Sequence, residues 1–237
     1  ATMRNPEKEK ELTQLENVTT LRVDVTDLEQ IKSAIEASIL LGDIDVVLNN
    51  AGYALFGAME AFGDEQITRQ INTNLIGAMR VTQGFIPHFR EKKNGTFINV
   101  TSIAGLVAYP FSHVYHATKW ALEGWSESLS IELAPFNIVV KTVSPSGTQS
   151  DFLSRSSDLV SHPLYDGPMQ KMLAGFKFDN TSEQVAEVIY RAVTDNKDQL
   201  RYLAGETAKA TYARRLEIGA EEFRKGVAKT FMELQQS

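Results

Sequence analysis

Short apolar runs alternate with longer amphipathic stretches along nearly the whole chain, and this alternation restricts the fold more than any other feature. Thr20-Leu-Arg-Val-Asp-Val25 reads as a strand. Asp27 then stands as the N-cap of a helix with Leu28, Ile31, Ile35 and Ile39 on one face, and Gly42 ends it. Ile44-Asp-Val-Val-Leu48 is a largely apolar strand, the pattern expected where both sheet faces are covered. A helical stretch runs from about Asp64 toward Arg90, with a break near Asn72–Asn74. Thr96–Thr101 and Val139–Val143 are strands, and a helix from Ser112 to Ala134 lies between them. Thr181-Ser-Glu-Gln opens another helix with capping chemistry, and Gln199–Leu203 is a last short strand. Pro6 opens a first helix through about Leu15, and Glu7-Lys-Glu-Lys-Glu11 is its solvated face. From Glu206 onward Tyr212, Leu216, Phe223, Val227 and Phe231 line one helical face. Strand and helix in strict turn predict an α/β fold, a doubly wound parallel sheet with helices on both faces.

The chemistry sits on that framework. Tyr115 and Lys119 are four residues apart on a predicted helix, so they share a face. A free phenol, with a pKa of ~10, is a poor proton donor and base at neutral pH. A neighbouring ammonium favours the phenolate and makes a positioned tyrosine a plausible general acid/base. Ser102 ends the strand-like run Gly95–Thr101, on the side where a parallel sheet keeps its ligand crevice, and precedes Tyr115 by thirteen residues. Asn49-Asn-Ala-Gly52 follows the strand at 44–48, Asn74-Leu-Ile-Gly77 lies in a helical stretch, and Pro145-Ser-Gly-Thr-Gln-Ser150 follows the strand at 138–143. Trp120, Trp125, His113 and His116 are near Tyr115 in sequence, where packing or surface roles account for them.

Composition removes several alternatives. With 237 residues and 43% hydrophobic content the chain suits one α/β domain. Net charge is −6 and no basic stripe occurs, which argues against nucleic acid as a partner. There is no cysteine, so thiol catalysis and disulfides are excluded and a reducing, cytoplasmic location is expected. Four scattered histidines offer no metal site of usual spacing. No apolar run is long enough for a membrane span.

The ordered set of motifs resembles the classical short-chain dehydrogenase/reductase family across nearly the whole chain. The resemblance implies a Rossmann-type three-layer fold over 1–237 as a single domain. It also implies hydride transfer between NADP(H) or NAD(H) and a carbonyl or secondary alcohol. It makes Tyr115 the general acid/base. Lys119 would lower the tyrosine pKa and bind the nicotinamide ribose. Ser102 would hydrogen-bond the substrate oxygen, and Asn74 would hold a water in a proton relay. Asn72 is a second asparagine in the same segment; the Asn-x-x-Gly pattern selects Asn74. Asn50, Ala51 and Gly52 would line the adenine-ribose side of the cofactor, Asp24 and Val25 its adenine, and Pro145 and Ser150 its nicotinamide. Ser146 departs from the family's Pro-Gly, which puts the local backbone conformation in doubt. At the end of the first strand shown, Arg4 stands without an acidic neighbour, so NADP(H) is favoured and NAD(H) remains possible. Apolar residues in 144–180 imply a lid over a hydrophobic small-molecule substrate, and the family implies a homodimer or homotetramer.

One family element has no counterpart. No Gly-x-x-x-Gly-x-Gly or Gly-x-Gly-x-x-Gly occurs, and Ala1-Thr-Met-Arg4 resembles the tail of the family's second strand. The expectation is that the sequence is a piece of a longer protein whose first strand, phosphate loop and helix precede it. That strand is central in the order 3-2-1-4-5-6, so its neighbours would each lack a pairing partner. A non-catalytic dinucleotide-binding regulator on the same fold is the competing expectation, against which Ser102, Tyr115 and Lys119 argue. A sugar-nucleotide epimerase or dehydratase, which shares the Tyr-x-x-x-Lys spacing, is disfavoured by Asn49–Gly52 and by the short chain after the last strand.

Overall fold

The computed structural model describes residues 1–150, 152 and 156–232. Strands β1 (Thr2–Met3) and β2 (Leu21–Arg22) pair in parallel as a small sheet of their own. The main sheet is parallel and four-stranded, made of β3 (Val46–Asn49), β5 (Gly95–Val100), β6 (Ile138–Pro145) and β10 (Arg201–Ala204) in the order β10-β6-β5-β3. Two further parallel pairs join β4 (Ala54–Phe56) to β8 (Ser157–Leu159) and β7 (Gly147–Gln149) to β9 (Phe178–Thr181).

Consecutive residues of β5 face opposite layers, which explains why its sequence is apolar on both parities. Phe97 packs with Phe85 and Phe89 of α3 (Gly77–Lys92) and with Leu129 and Leu133 of α4 (His113–Leu133). Its neighbour Ile98 joins Val143 and Tyr202 under Ala192, Val188 and Ile189 of α6 (Ser182–Thr194). Phe97 and Ile98 are both wholly buried, each contributing about 1.5–3 kcal/mol. The remaining helices are α1 (Leu28–Leu41), α2 (Asp64–Ile71), α5 (Asp166–Ala174), α7 (Glu206–Ile218) and α8 (Ala220–Met232).

Local signals are realised where the side chains act as caps. Asp27 accepts from the amides of Glu29 and Gln30 at 3.0 and 3.1 Å and starts α1. Thr181 and Gln184 form the reciprocal capping box of α6. The break expected near Asn72–Asn74 is a wide turn over Asn72–Ile76, between α2 and α3.

Four expectations are corrected. The segment from Pro6 to Leu15 forms two short 3-10 turns, Pro6–Lys8 and Leu12–Gln14, in place of an α-helix. None of its turn residues is buried, and the Glu9 carboxylate takes the amides of Glu11 and Leu12, offering the backbone a rival to helical pairing. The C-terminal helical stretch is two helices, because Gly219 at φ +82° ends α7. Leu48 of β3 is 45% exposed, so that strand is not covered on both faces; β3 is the edge of the main sheet. The 144–180 segment, unpatterned in sequence, holds β7, β8, α5 and β9; its residues 151 and 153–155 lie outside those described.

Candidate active site

Strand β5 ends at Val100, and the chain turns at Ser102 into a 3-10 turn, Ile103–Gly105. The Ser102 hydroxyl accepts from the Ala104 amide at 3.1 Å. Gly105 lets this turn lie directly on α4: a Cβ there would sit 2.8 Å from the Lys119 carbonyl. The close approach brings Ser102 beside the Tyr115 phenol. His116, one residue on, secures the same segment, its Nδ1 2.6 Å from the Ala104 carbonyl and its Nε2 accepting from the Tyr109 amide at 3.0 Å. Its role is structural, as the sequence led us to expect.

Lys119 lies one turn along α4 from Tyr115 and is buried. Its ammonium donates to the Val100 carbonyl at 2.8 Å and stands 5.8 Å from the Tyr115 ring centre. Burial pushes the amine down to about 8, opposed by the nearby carboxylate of Glu123. Burial also pushes the Tyr115 phenol up to about 12, with the neighbouring Ser102 hydroxyl opposing. Lys119 is not among the groups that set this shift. Both groups are dry, and the cation is turned toward Val100.

The wide turn between α2 and α3 aims Asn74 at the same place. Asn74 is 1% exposed; its amide donates to the Tyr53 carbonyl at 2.8 Å and to the Thr118 hydroxyl at 3.3 Å, and its oxygen accepts from the Tyr53 amide at 3.0 Å. Asn72 instead lines an open cleft with Thr26, Asp64 and Thr68. Gly52 is the third wall: a Cβ there would lie 3.3 Å from Asn74 Oδ1 and 3.8 Å from Lys119 Nζ. Ser102, Tyr115, Lys119, Asn74 and Gly52 therefore meet at the carboxyl ends of β3 and β5.

The other expected ligand residues are more dispersed. Asn50 and Ala51 are exposed just beyond β3, and Ser150 is exposed beyond β7, with Pro145 closing β6. Arg4 is exposed just after β1, beside Arg22, whose Nε donates to the Arg4 carbonyl at 3.0 Å. Val25 packs against Gly77 at the start of α3. The Asp24 carboxylate is engaged with the Thr26 amide and hydroxyl at 2.9 and 2.7 Å, the work of a local cap. Ser146, the departure from Pro-Gly, is explained by distant partners. Its hydroxyl donates to Asp179 at 2.6 Å and accepts from Asn180 at 2.8 Å, tying the loop after β6 to β9.

An apolar ceiling covers the tyrosine. Phe56, Phe111, Met169 and Met172 are buried together, and Tyr115, Phe152, Tyr165, Leu173, Phe176 and Phe231 pack on them. The ring of Phe152 lies 6.2 Å from that of Tyr115. Phe231 comes from α8 and meets Tyr109 edge-on. The sequence reading passed over three polar groups. Asn49 bridges Thr82 and Asn99 across the sheet, each at 2.9 Å. Gln70 donates to the Tyr53 carbonyl at 2.9 Å. Glu123 is a buried carboxylate at the centre of α4. Of these, only Asn49 had a signal, its place in the Asn-Asn-Ala-Gly run.

The family model described as short chain dehydrogenase matches residues 2–159. The chain belongs to the short-chain dehydrogenase family. An uncharacterized oxidoreductase of Schizosaccharomyces pombe is 38% identical over 209 residues, covering 86% of this chain and 89% of that protein. A crystallised short-chain dehydrogenase from Streptomyces avermitilis superposes with a TM-score of 0.85 at 27% identity, over 94% of this chain and 85% of the other. The structure of ElxO with NADP bound superposes at 0.74 and 26% identity, over 88% and 87%. The chain is an oxidoreductase of the NAD(P)-dependent type, on the parallel α/β fold that its alternation predicts. Among the described residues no helix is long and apolar enough to cross a membrane.

The residues present fit the nicotinamide-ribose end of such a cofactor. An ammonium and a carboxamide face the space that Gly52 leaves open, and exposed polar groups follow β3 and β7 at the same end of the strands.

Proposed function

We propose that this protein transfers a hydride between NADP(H), or less readily NAD(H), and the carbonyl or secondary alcohol of a hydrophobic small molecule. The observation that carries the reading is the Tyr115 phenol, beside Ser102 and beneath an apolar ceiling, with Lys119 one helical turn away and Asn74 across Gly52 from it. The cofactor, when bound, supplies the hydride. Lys119, Pro145 and Ser150 hold its nicotinamide half, Asn50, Ala51 and Gly52 line its adenine-ribose side, and Arg4, Asp24 and Val25 hold the rest of its adenosine half. A phenol held protonated until about pH 12 is a donor in the reductive direction: Tyr115 gives its proton to the substrate oxygen. Ser102 donates to the same oxygen and stabilises the charge that develops there. Lys119, its amine lowered to about 8 by burial, passes a proton inward toward Tyr115 through water held near Asn74.

Two observations support the preference for NADP(H). Arg4 and Arg22 adjoin each other at the end of the β1–β2 pair, where a 2′-phosphate would sit, and the similar protein ElxO binds NADP. The segment 144–180 acts as the substrate lid, and its aromatic and methionine side chains favour an apolar substrate body. A homodimer or homotetramer is the assembly, and its exposed apolar residues on α4, Trp120 and Ile131, suit an interface. The lack of cysteine suits a cytoplasmic setting.

The test is NADPH and NADH oxidation against a panel of hydrophobic aldehydes and ketones, with Tyr115→Phe alongside. We expect the variant to lose ~10²–10⁴-fold in turnover while keeping its fold and its nucleotide affinity. A folded variant with most of the wild-type rate refutes the assignment. Wild-type protein that binds nucleotide but turns over no panel member favours the regulator reading.

A further inference from the structure

Glu123 has no part in the chemistry above, yet its carboxylate is held by four side chains. It extends the Tyr115–Lys119 face of α4 by one more turn and is 4% exposed. Four donors saturate its two oxygens. Oε1 accepts from the Thr101 hydroxyl at 2.6 Å and from the Ser144 hydroxyl at 2.8 Å. Oε2 accepts from Arg201 Nε at 2.8 Å and from the Thr142 hydroxyl at 3.2 Å. Arg201 is its ion-pair partner, at 2.8 Å.

The places it grips are the ones the site depends on. Thr101 is the residue before Ser102. Val100, one earlier, provides the carbonyl that receives Lys119. Gly105, at the end of the Ser102 turn, lies so close that a Cβ there would be 3.0 Å from Glu123 Cγ. Ser144 precedes Pro145 at the start of the proposed cofactor loop. Burying this charge is costly, and an apolar residue would hold two strands and a helix together at less expense. What an apolar residue does not provide is direction: it sets no position for a neighbouring hydroxyl.

We propose that Glu123 is the positioning residue of this site, a clasp that fixes the Ser102 turn and the loop at Ser144 against the helix bearing Tyr115 and Lys119. The functional part of this rests on the hydride-transfer reading of the site; the clasp itself does not. Glu123 touches neither substrate nor cofactor and acts through Thr101 and Ser144.

Glu123→Gln keeps the shape and reverses part of the network. Arg201 can only donate, so the amide oxygen turns to it, and the new NH₂ faces Thr101 and Ser144. Thr101 then sends its proton to the Val143 carbonyl, already 3.1 Å away. Two measurements follow. In hydrogen exchange read by mass spectrometry, protection should fall about tenfold or more in residues 101–107 and 142–146 and hold in the remainder of β5 and β6. In steady-state kinetics, kcat should fall about tenfold or more while KM for NADPH stays within about threefold.

Tyr202→Phe is the control for lost stability alone. It strips a buried hydroxyl from Lys141 and Asp195 on the same sheet and should lower stability with kcat retained. If Glu123→Gln does not fold, Thr101→Val cuts one strand of the clasp isosterically and should give the same localised exchange. Unchanged protection at 101–107 in the folded variant overturns the proposal, whatever the kinetics. A kcat loss matched by Tyr202→Phe overturns it too, since stability alone would then explain the effect. Wild-type protein without turnover overturns the reading of the site, and the exchange measurement still judges the clasp.

Discussion

Lys119→Met should make the protein more stable and less active, with a gain that depends on pH in a set way. The amine drops from its ordinary 10.5 to about 8 because it is buried. At about 1.4 kcal/mol per tenfold, the native state loses about 3 kcal/mol by keeping that charge below pH 8. Methionine is similar in length and carries no charge to desolvate. It leaves the Val100 carbonyl without its 2.8 Å donor, a loss of about 1 kcal/mol. At pH 7 the variant should therefore be more stable by about 2 kcal/mol. The sign of the pH dependence follows from proton counts. Between pH 8 and 10.5 the unfolded chain still binds the lysine proton and the native chain has released it. Wild-type stability attributable to Lys119 therefore rises with pH across this window, and the variant's does not. The gap should close and then invert, leaving the variant weaker by about 1 kcal/mol at pH 10.5. Urea unfolding of both proteins at intervals from pH 7 to 10.5 reads this directly. Native Tyr115 titrates above that window, and its unfolded-state titration near ~10 is common to both proteins and cancels in the difference. A gap that stays constant with pH refutes the argument, because it would mean that Lys119 is solvated in the native protein. Turnover in the variant should be at least ~10²-fold down at every pH, so the residue is kept at the expense of stability.

Two further outcomes can be checked. Arg4→Asp should shift preference from NADP(H) toward NAD(H) through a lost charge-assisted contact worth about 1.5–3 kcal/mol, read as the ratio of kcat/KM for the two cofactors; a wild type that already prefers NADH removes the basis for it. Ser146→Gly, which restores the family's Pro-Gly, should destabilise the protein by about 1–3 kcal/mol in urea unfolding, because Asp179 and Asn180 lose their partner; a neutral result would show that water replaces the hydroxyl without loss.

The proposed catalytic residues share local signals. Tyr115 and Lys119 lie one helical turn apart, and Ser102 closely follows a strand whose pattern is plain. Asp27 and Thr181 are caps that act within three residues. What escaped the sequence depends on long separations. Glu123 meets Arg201 across 78 residues, and Thr101 meets Ser144 across 43. No spacing rule marks such pairs. Ser146 read as a departure from pattern for the same reason, since its partners wait 33 and 34 residues further on. The failures near the ends are of another kind. From Pro6 to Leu15 the helix signal was propensity and charge alternation, with no packed face to confirm it. At Gly219 the apolar stripe continues across a residue whose backbone turns left-handed, and periodicity counts positions without noticing the turn.

The ceiling over Tyr115 has a consequence for how such a protein can diverge. Its floor, from Ser102 to Lys119, is one contiguous stretch of chain. Its roof is assembled from Phe56, from Phe152, Tyr165, Met169, Met172 and Phe176, and from Phe231 at the far end of α8. No backbone hydrogen bond of the main sheet runs through α8, and α7 and α8 meet at a glycine that allows their angle to change. Substitutions, insertions or a different length in that tail can therefore redraw the cavity without moving Tyr115. A lineage could sample new substrates by editing its last helix, with the chemistry inherited unaltered beneath it.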